Sequence, residues 1–307
     1  MDKIGIIDLG TNTFHLLVAE RVDSQYTIIY QNRVPAKVGM GGINQNIITE
    51  EGVERAIKAI SDFQTTLKEM GVEKVMAFGT SVLRSSNNGN EVIQKIKNAT
   101  GIETKIISGE EEAELIYLGV RAAVKLGKEK SLIVDIGGGS VEFIIGNDQE
   151  IFWKHSFDIG AQRLLEKFQK HDPISSEEIK MLDQFFDSSL QPLLTQLRVH
   201  LPKTLVGSSG TFDTLSDIYC SRNNIQQQSP EAPLTIVAFY EIFEELIVKN
   251  RPQRMKIAGM IEMRVDMIVV ACCLIDFLLK RHSFSAIRVS SYSLKEGVLA
   301  TLFASKH

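Results

Sequence analysis

Two hydrophobic rhythms alternate along this chain, and together they lay out its elements. KIGIIDLG, FHLLVAERV and QYTIIYQNRV are apolar or alternating runs broken by turn residues, which predicts three consecutive strands. From Thr49 the period changes. Val53, Ile57, Ile60, Phe63, Leu67 and Met70 recur at steps of three and four, predicting a helix that Gly71 ends. KVMAFGTS then predicts a strand, LRSSNNG a loop, VIQKIKNATG a short helix, TKIIS a strand, and 108–126 a helix closed by Gly127.

The second half repeats this plan. SLIVDIGGGSVEFIIG predicts strand, glycine turn, strand, followed by helices at 161–171 and 176–199. TLVGSSGTFDTL predicts strand, turn and helix, and CSRNNIQQQSPEAP a long polar surface loop. Helices at 234–249 and 264–281, the strand AIRVSS and a last helix at 295–304 complete the pattern. No linker rich in Pro, Gly or Ser divides the halves, so the expectation is two related α/β units sharing a cleft.

Composition narrows the function. A length of 307 residues suits two domains, and 44% hydrophobic with 23% charged residues is ordinary for a globular chain. Lys and Arg number 34 against 38 Asp and Glu, a net charge of -4, which argues against a nucleic-acid partner. Any polyanion must therefore be held locally. Cys220, Cys272 and Cys273 form no CxxC pair, which excludes a disulfide framework and a zinc site and suits a reducing, cytoplasmic compartment. The N-terminal apolar run is short and carries Asp8, unlike a secretory signal. VDMIVVACCLIDFLLK is interrupted by Asp266 and Asp276, so a buried helix is expected and no membrane span.

The sharpest chemical signal is internal. Asp8-Leu9-Gly10-Thr11-Asn12-Thr13 and Asp135-Ile136-Gly137-Gly138-Gly139-Ser140 each lie between two apolar strands. Small residues in a tight turn let backbone N–H groups converge on an anion, and an Asp at the strand end can hold a divalent cation. One such motif alone reads more readily as a plain hairpin, but its repetition in corresponding places points to phosphate binding. Neither G-x-x-x-x-G-K-[ST] nor G-x-G-x-x-G is present. Gly207-Ser208-Ser209-Gly210-Thr211, leading from strand to helix, is either a third wall of the same cleft or an ordinary connection.

Other candidates carry two readings each. Glu142 follows Asp135 on the outgoing strand, facing away from Val141 and Phe143; it is a metal ligand or a solvated carboxylate. In Ser108-Gly109-Glu110-Glu111-Glu112-Ala113-Glu114, the S-x-x-E spacing of Ser108 and Glu111 is that of a capping box, while an acid there also suits a general base. Arg84 is a phosphate fork or a solvated loop residue. Lys249, Arg251, Arg254, Lys256 and Arg264 form a solvated basic face or a track for a long polyanion. Ser208 and Ser209 lie in no G-x-S-x-G elbow, which removes the serine hydrolases. His155, His171, His200, His282 and His307 have no metal-ligand spacing.

With these residues in view, IDLGTNTFHLLV, FGTSVLRSSNNG, ISGEEEAELIYLGV, VDIGGGSVEFIIG and MRVDMIVVACCLI with SSYSLKEGVL resemble, in order and spacing, the exopolyphosphatase / guanosine pentaphosphate phosphohydrolase family in its short two-domain form. The resemblance implies two actin-like (ribonuclease H-like) α/β domains around a central cleft, one of 1–122 plus 295–307 and one of 123–294, with a hinge near 118–130. It implies release of terminal phosphate from inorganic polyphosphate by Mg²⁺-assisted in-line attack of water. The alternatives are guanosine pentaphosphate 5′-phosphohydrolysis, a non-hydrolysing regulator that binds polyphosphate or a guanosine polyphosphate, and an ATP-dependent kinase of the same superfamily. It implies Glu111 as base with Glu112 as second candidate. Gly10, Thr11, Asn12, Thr13, Arg84, Gly137, Gly138, Gly139, Ser140, Ser209 and Arg264 would bind phosphate, and Asp8, Asp135 and Glu142 would hold Mg²⁺. The chain departs from the family where His15 and Lys295 replace common arginines, since neither can copy a bidentate fork. A homodimer is compatible with the sequence, although no heptad marks one.

Overall fold

The computed structural model describes residues 2–22, 25–227 and 229–304. Strands β1 (Lys3–Leu9), β2 (Phe14–Val22) and β3 (Gln25–Val34) form the expected meander. Helix α1 (Glu50–Glu69) starts where Thr49 Oγ1 accepts from Gly52 N at 3.2 Å, and Gly71 leaves it at φ +66. Then follow β4 (Lys74–Gly79), α2 (Ser81–Ser85), α3 (Gly89–Thr100), β5 (Thr104–Ile106) and α4 (Gly109–Ala123). The second half comprises β6 (Ser131–Ile136), β7 (Val141–Gly146), β8 (Ile151–Phe157), α5 (Ala161–Phe168), α6 (Ser176–Ser189), α7 (Gln191–His200), β9 (Thr204–Ser208), α8 (Ser209–Asn223), β10 (Glu231–Ala232), α9 (Ile236–Val248), α10 (Arg251–Arg254), α11 (Ile268–Arg281), β11 (Ala286–Ser290) and α12 (Leu294–Ala304).

The first sheet has the order β3-β2-β1-β4-β5 and the second β10-β11-β9-β6-β7-β8. Read from its β8 end, the second repeats the first: an antiparallel meander, then two strands parallel to its first strand. This duplication is that of two actin-like, ribonuclease H-like domains. Each sheet buries one face against its own helices. In the first, Ile7, Leu9 and Phe14 meet Ile60, Phe63 and Ile96; in the second, Leu132, Val134 and Phe143 meet Phe186, Phe212 and Phe277. The opposite faces share a third core. Ile4, Ile6 and Leu17 of one sheet and Ile133, Ile144 and Val206 of the other close on Ile116 and Val120 of α4 and on Leu294, Val298 and Leu299 of α12. Burial on both faces explains why β1 and β6 read as nearly continuous apolar runs.

Four expectations need revision. The helix expected at 176–199 is two, broken at Leu190 because Pro192, in the first turn of α7, cannot continue a helix from behind. The helix expected to reach 126 stops at Ala123, after which Val124 is extended. The loop LRSSNNG contains most of α2, and the edge strands β8 and β10 were not anticipated. All three cysteines are buried and unpaired. Among the described residues, no helix is long and apolar enough to cross a membrane.

The start of α6 gives a test of stability. Glu178 is buried and accepts from Lys170 N at 2.6 Å, Ser175 N at 2.7 Å and His171 N at 3.0 Å. Burial alone would raise its pKa, but the donors, backbone N–H groups foremost, outweigh it and bring the carboxyl down to about 2. A depressed carboxylate pKa stabilises the fold above the unfolded value of ~4.3 and loses that contribution as pH falls toward 2. Glu178→Gln is therefore expected to cost about 2 kcal/mol at pH 7 and to lose much of the advantage of wild type over the variant between pH 5 and 2. Urea unfolding across that range measures it; parallel pH profiles for the two proteins would refute it.

Candidate active site

The two glycine turns are built alike and touch. In the first hairpin Asp8 pairs with His15 and Leu9 with Phe14; in the second Asp135 pairs with Glu142 and Ile136 with Val141. Gly10 and Gly137 hold the same place: a methyl group on either would press within 2.7 and 3.0 Å of the carbonyl oxygens of Thr13 and Ser140. At the tips, a methyl on Gly138 would lie 3.0 Å from Thr11 Cβ and Asn12 Nδ2, and one on Gly139 would lie 2.6 Å from Thr11 Oγ1. The turns face each other across the cleft with no room for a side chain between them. Among the described residues, the N–H groups of Thr11, Asn12, Gly138 and Gly139 donate to nothing. These free donors make a concave surface suited to phosphate oxygens.

A single pocket gathers most of the candidates. Asp8, Gly10 to Thr13, Glu112, Asp135, Gly137 to Ser140, Glu142, Ser209 and Arg264 all line it, with His15, Thr80, Ser81, Ile116, Ser293 and Leu294. Glu111 does not. Its backbone N–H donates to Ser108 Oγ, and its side chain pairs with Lys105 Nζ at 2.6 Å on the exposed face of α4. The capping interaction thus holds the backbone of Glu111, and the carboxylate in the pocket belongs to Glu112. Arg84 also stands back from the pocket. Its Nη1 donates to Ile107 O at 3.1 Å and to Glu112 Oε2 at 2.8 Å, so it fixes the glutamate instead of facing the cleft directly.

The basic stretch is largely taken up by ion pairs, with Lys256 exposed. Lys249 pairs with Glu245, Arg251 with Asp266 and Glu262, and Arg254 is fully buried against Asp172 at 2.6 Å. Only Arg264 enters the site. Its guanidinium lies so close over Gly210 that a methyl there would meet it at 2.1 Å. Glycine at the start of α8 is what lets the arginine lie against the helix backbone.

Four carboxylates crowd the pocket, Glu112, Asp135 and Glu142 buried and Asp8 half-buried. Burial pushes Asp8 up to about 7, with Lys295 opposing and Asp135 adding repulsion. Burial likewise brings Glu112 to about 7 despite Arg84, and raises Glu142 well above its usual range, helped by Glu112 and Asp135. Asp135 is raised by burial, while Ser293 Oγ at 2.5 Å and Ser208 Oγ at 2.7 Å donate to it and moderate the shift. His15 is driven well below its normal value by burial and by Lys295 and Arg264, so it stays neutral. Thr11 Oγ1, Asn12 Oδ1, Ser81 Oγ and Arg264 Nε are buried without partners. Crowded acids beside unpartnered hydroxyls and a guanidinium N–H call for a ligand bearing both charges, an anion with its cation. Among the described residues no three acidic, His or Cys groups form a ready-made metal cage. The donors are hard oxygens, as a cation that keeps its waters and shares phosphate oxygens requires.

The family model described as the Ppx/GppA phosphatase family matches residues 17–306. The chain belongs to the Ppx/GppA phosphatase family. It is 26% identical over 299 residues to Exopolyphosphatase 1 of Mycobacterium tuberculosis, covering 97% of this chain and 87% of that one. A putative exopolyphosphatase of Haemophilus influenzae is 26% identical over 300 residues, covering 98% and 91%. The crystal structure of an exopolyphosphatase from Cytophaga hutchinsonii superposes with a TM-score of 0.96 at 43% identity, covering 99% and 98%. The Aquifex aeolicus Ppx/GppA structure shares the fold, with a TM-score of 0.78 at 24% identity.

This Ppx/GppA chain also uses residues that sequence reasoning passed over. Thr80 and Ser81 are among them: they follow strand β4 where the anticipated Ser208-Ser209 closes strand β9, at the C-terminal ends of parallel strands where open α/β sheets bind ligands. Their recurrence after two strand runs was the available signal. Ser156 donates to Glu142 Oε1 at 2.6 Å from the unanticipated β8 and carried no such signal.

Proposed function

We propose that the chain is an exopolyphosphatase, releasing the terminal phosphate of inorganic polyphosphate with Mg²⁺. The observation that carries this reading is the direct contact of the two glycine turns around a pocket of three buried carboxylates, the half-buried Asp8 and one buried arginine. The free N–H groups of both turns and Arg264 bind the phosphoryl oxygens and neutralise the charge that develops on them. Asp8, Asp135 and Glu142 would hold Mg²⁺, which supplies further charge neutralisation when bound. Glu112, oriented by Arg84, accepts a proton from the attacking water. Leu294 and Ile116 at the rim help keep bulk water from the site.

The test is orthophosphate release from long polyphosphate, guanosine pentaphosphate and ATP, side by side. Polyphosphate is expected to be preferred. Preference for guanosine pentaphosphate would replace the reading with the 5′-phosphohydrolase, and binding without release would replace it with a regulator. Chelation of divalent cations is expected to lower turnover at least about 100-fold, recovered by added Mg²⁺. Unchanged turnover in the chelator would remove the cation from the mechanism.

A further inference from the structure

We propose that Arg163 is a latch: a positioning residue whose single guanidinium joins the two halves across the cleft and at the same time fixes the shape of the second phosphate turn. Helix α5 is bonded to the back of that turn. Gly160 N donates to Gly139 O at 3.1 Å, Ala161 N to Gly137 O at 2.8 Å and Gln162 N to Gly138 O at 2.8 Å. From the same helix, Arg163 Nε donates to Gly139 O at 3.0 Å. Its other two nitrogens cross to the first half: Nη1 donates to Ile43 O at 2.7 Å and Nη2 to Ser85 Oγ at 2.8 Å. Neighbouring bonds cross beside it, from Asn44 Nδ2 to Arg163 O at 3.3 Å and from Gly41 N to Glu166 Oε1 at 3.0 Å.

The chemistry of these partners argues for a latch over a static brace. Among the described residues, Arg163 has no carboxylate within ion-pair distance; its acceptors are two carbonyls and a hydroxyl. It is half-buried, so water can replace the two cross-cleft acceptors when the halves part. A rigid fork aimed at both sides is satisfied in full only in the closed state. Closing therefore delivers Arg163 to Ile43 and Ser85 while its Nε steadies the carbonyl of Gly139, one residue from the catalytic pocket's Ser140. Opening for substrate entry or phosphate exit releases the two cross-cleft bonds together.

The inference rests on the proposed hydrolase for its kinetic arm alone. Arg163→Met keeps the stem and removes the fork. It is expected to lower kcat on polyphosphate roughly 10- to 100-fold with KM changed less than about threefold, as expected of a misplaced catalytic element. Arg163→Lys keeps the charge without the fork and is expected to match Arg163→Met. Ser85→Ala, which removes one acceptor and should fold even if Arg163→Met does not, is expected to lie between. Spin labels on the exposed positions of Glu69→Cys and Glu177→Cys read the closure directly, in the intact chain without substrate. The distance distribution should broaden toward longer separations in all three variants. Wild-type kcat in Arg163→Lys, or lowered kcat with an unchanged distance distribution, would overturn the latch. If wild type released no phosphate from polyphosphate, the preceding section's reading would fall, whereas the label distances would still decide this one.

Discussion

Glu112→Gln is expected to lower turnover roughly 10³-fold while leaving phosphate binding nearly intact, because the amide keeps the shape but cannot accept a proton. The neighbouring Glu111→Gln is expected to stay within about twofold of wild type, since its partner is an exposed lysine. The pair separates two kinds of role in one acidic run. A glutamate whose carboxylate pairs only with an exposed lysine should spare kcat. A glutamate buried beside Ile116 and held by Arg84 Nη1 should do the reverse. The measurement is steady-state phosphate release with binding of a non-hydrolysed triphosphate analogue by calorimetry. Near-normal kcat in Glu112→Gln would remove it as the base.

The second large effect lies away from the pocket. Helices α4 and α12 approach so closely that a methyl on Gly297 would lie 1.7 Å from Leu115 O, and one on Gly119 would lie 2.0 Å from Ser293 O. Both obstacles are backbone, so neither can rotate aside. Gly297→Ala must push α12 outward, with an expected cost of about 3 kcal/mol and a fall in Tm of roughly 6 °C. The displacement reaches the chemistry as well, because Ser293 donates to Asp135 and Lys295 pairs with Glu296 at the same helix start. A variant with wild-type Tm and kcat would show that the helices separate without cost.

The double hairpin was legible because its signal is local: a strand end, an acid, small residues, a strand. The structure adds the register, with Asp8 opposite His15 where Asp135 is opposite Glu142, so the two copies have equivalent backbones but different chemistry. That Glu112 and not Glu111 lines the pocket was legible in principle. Glu112 stands four residues before Ile116 and eight before Val120, both buried, so the three share a helix face. The acidic run masked this phase. Helix α2 was hidden because five residues carry no period. Strand β8 sits at a sheet edge, half-exposed, and its mixed pattern follows from that position. Of the basic stretch's partners, Glu245 stands four residues before Lys249 and is legible along the chain, whereas Asp172 is brought to Arg254 by packing, which charge counting does not reveal.

The place of α12 bears on biosynthesis. Its apolar face fills the layer between the two sheets, so a nascent chain emerging from the ribosome carries α4 with that flank bare until residues 294–304 follow. Up to that moment Leu115, Ile116 and Val120 have no complete shelter. Docking of this one helix would then be a joint step in maturation, completing both halves at once, and slow translation of residues 294–304 would lengthen the vulnerable interval.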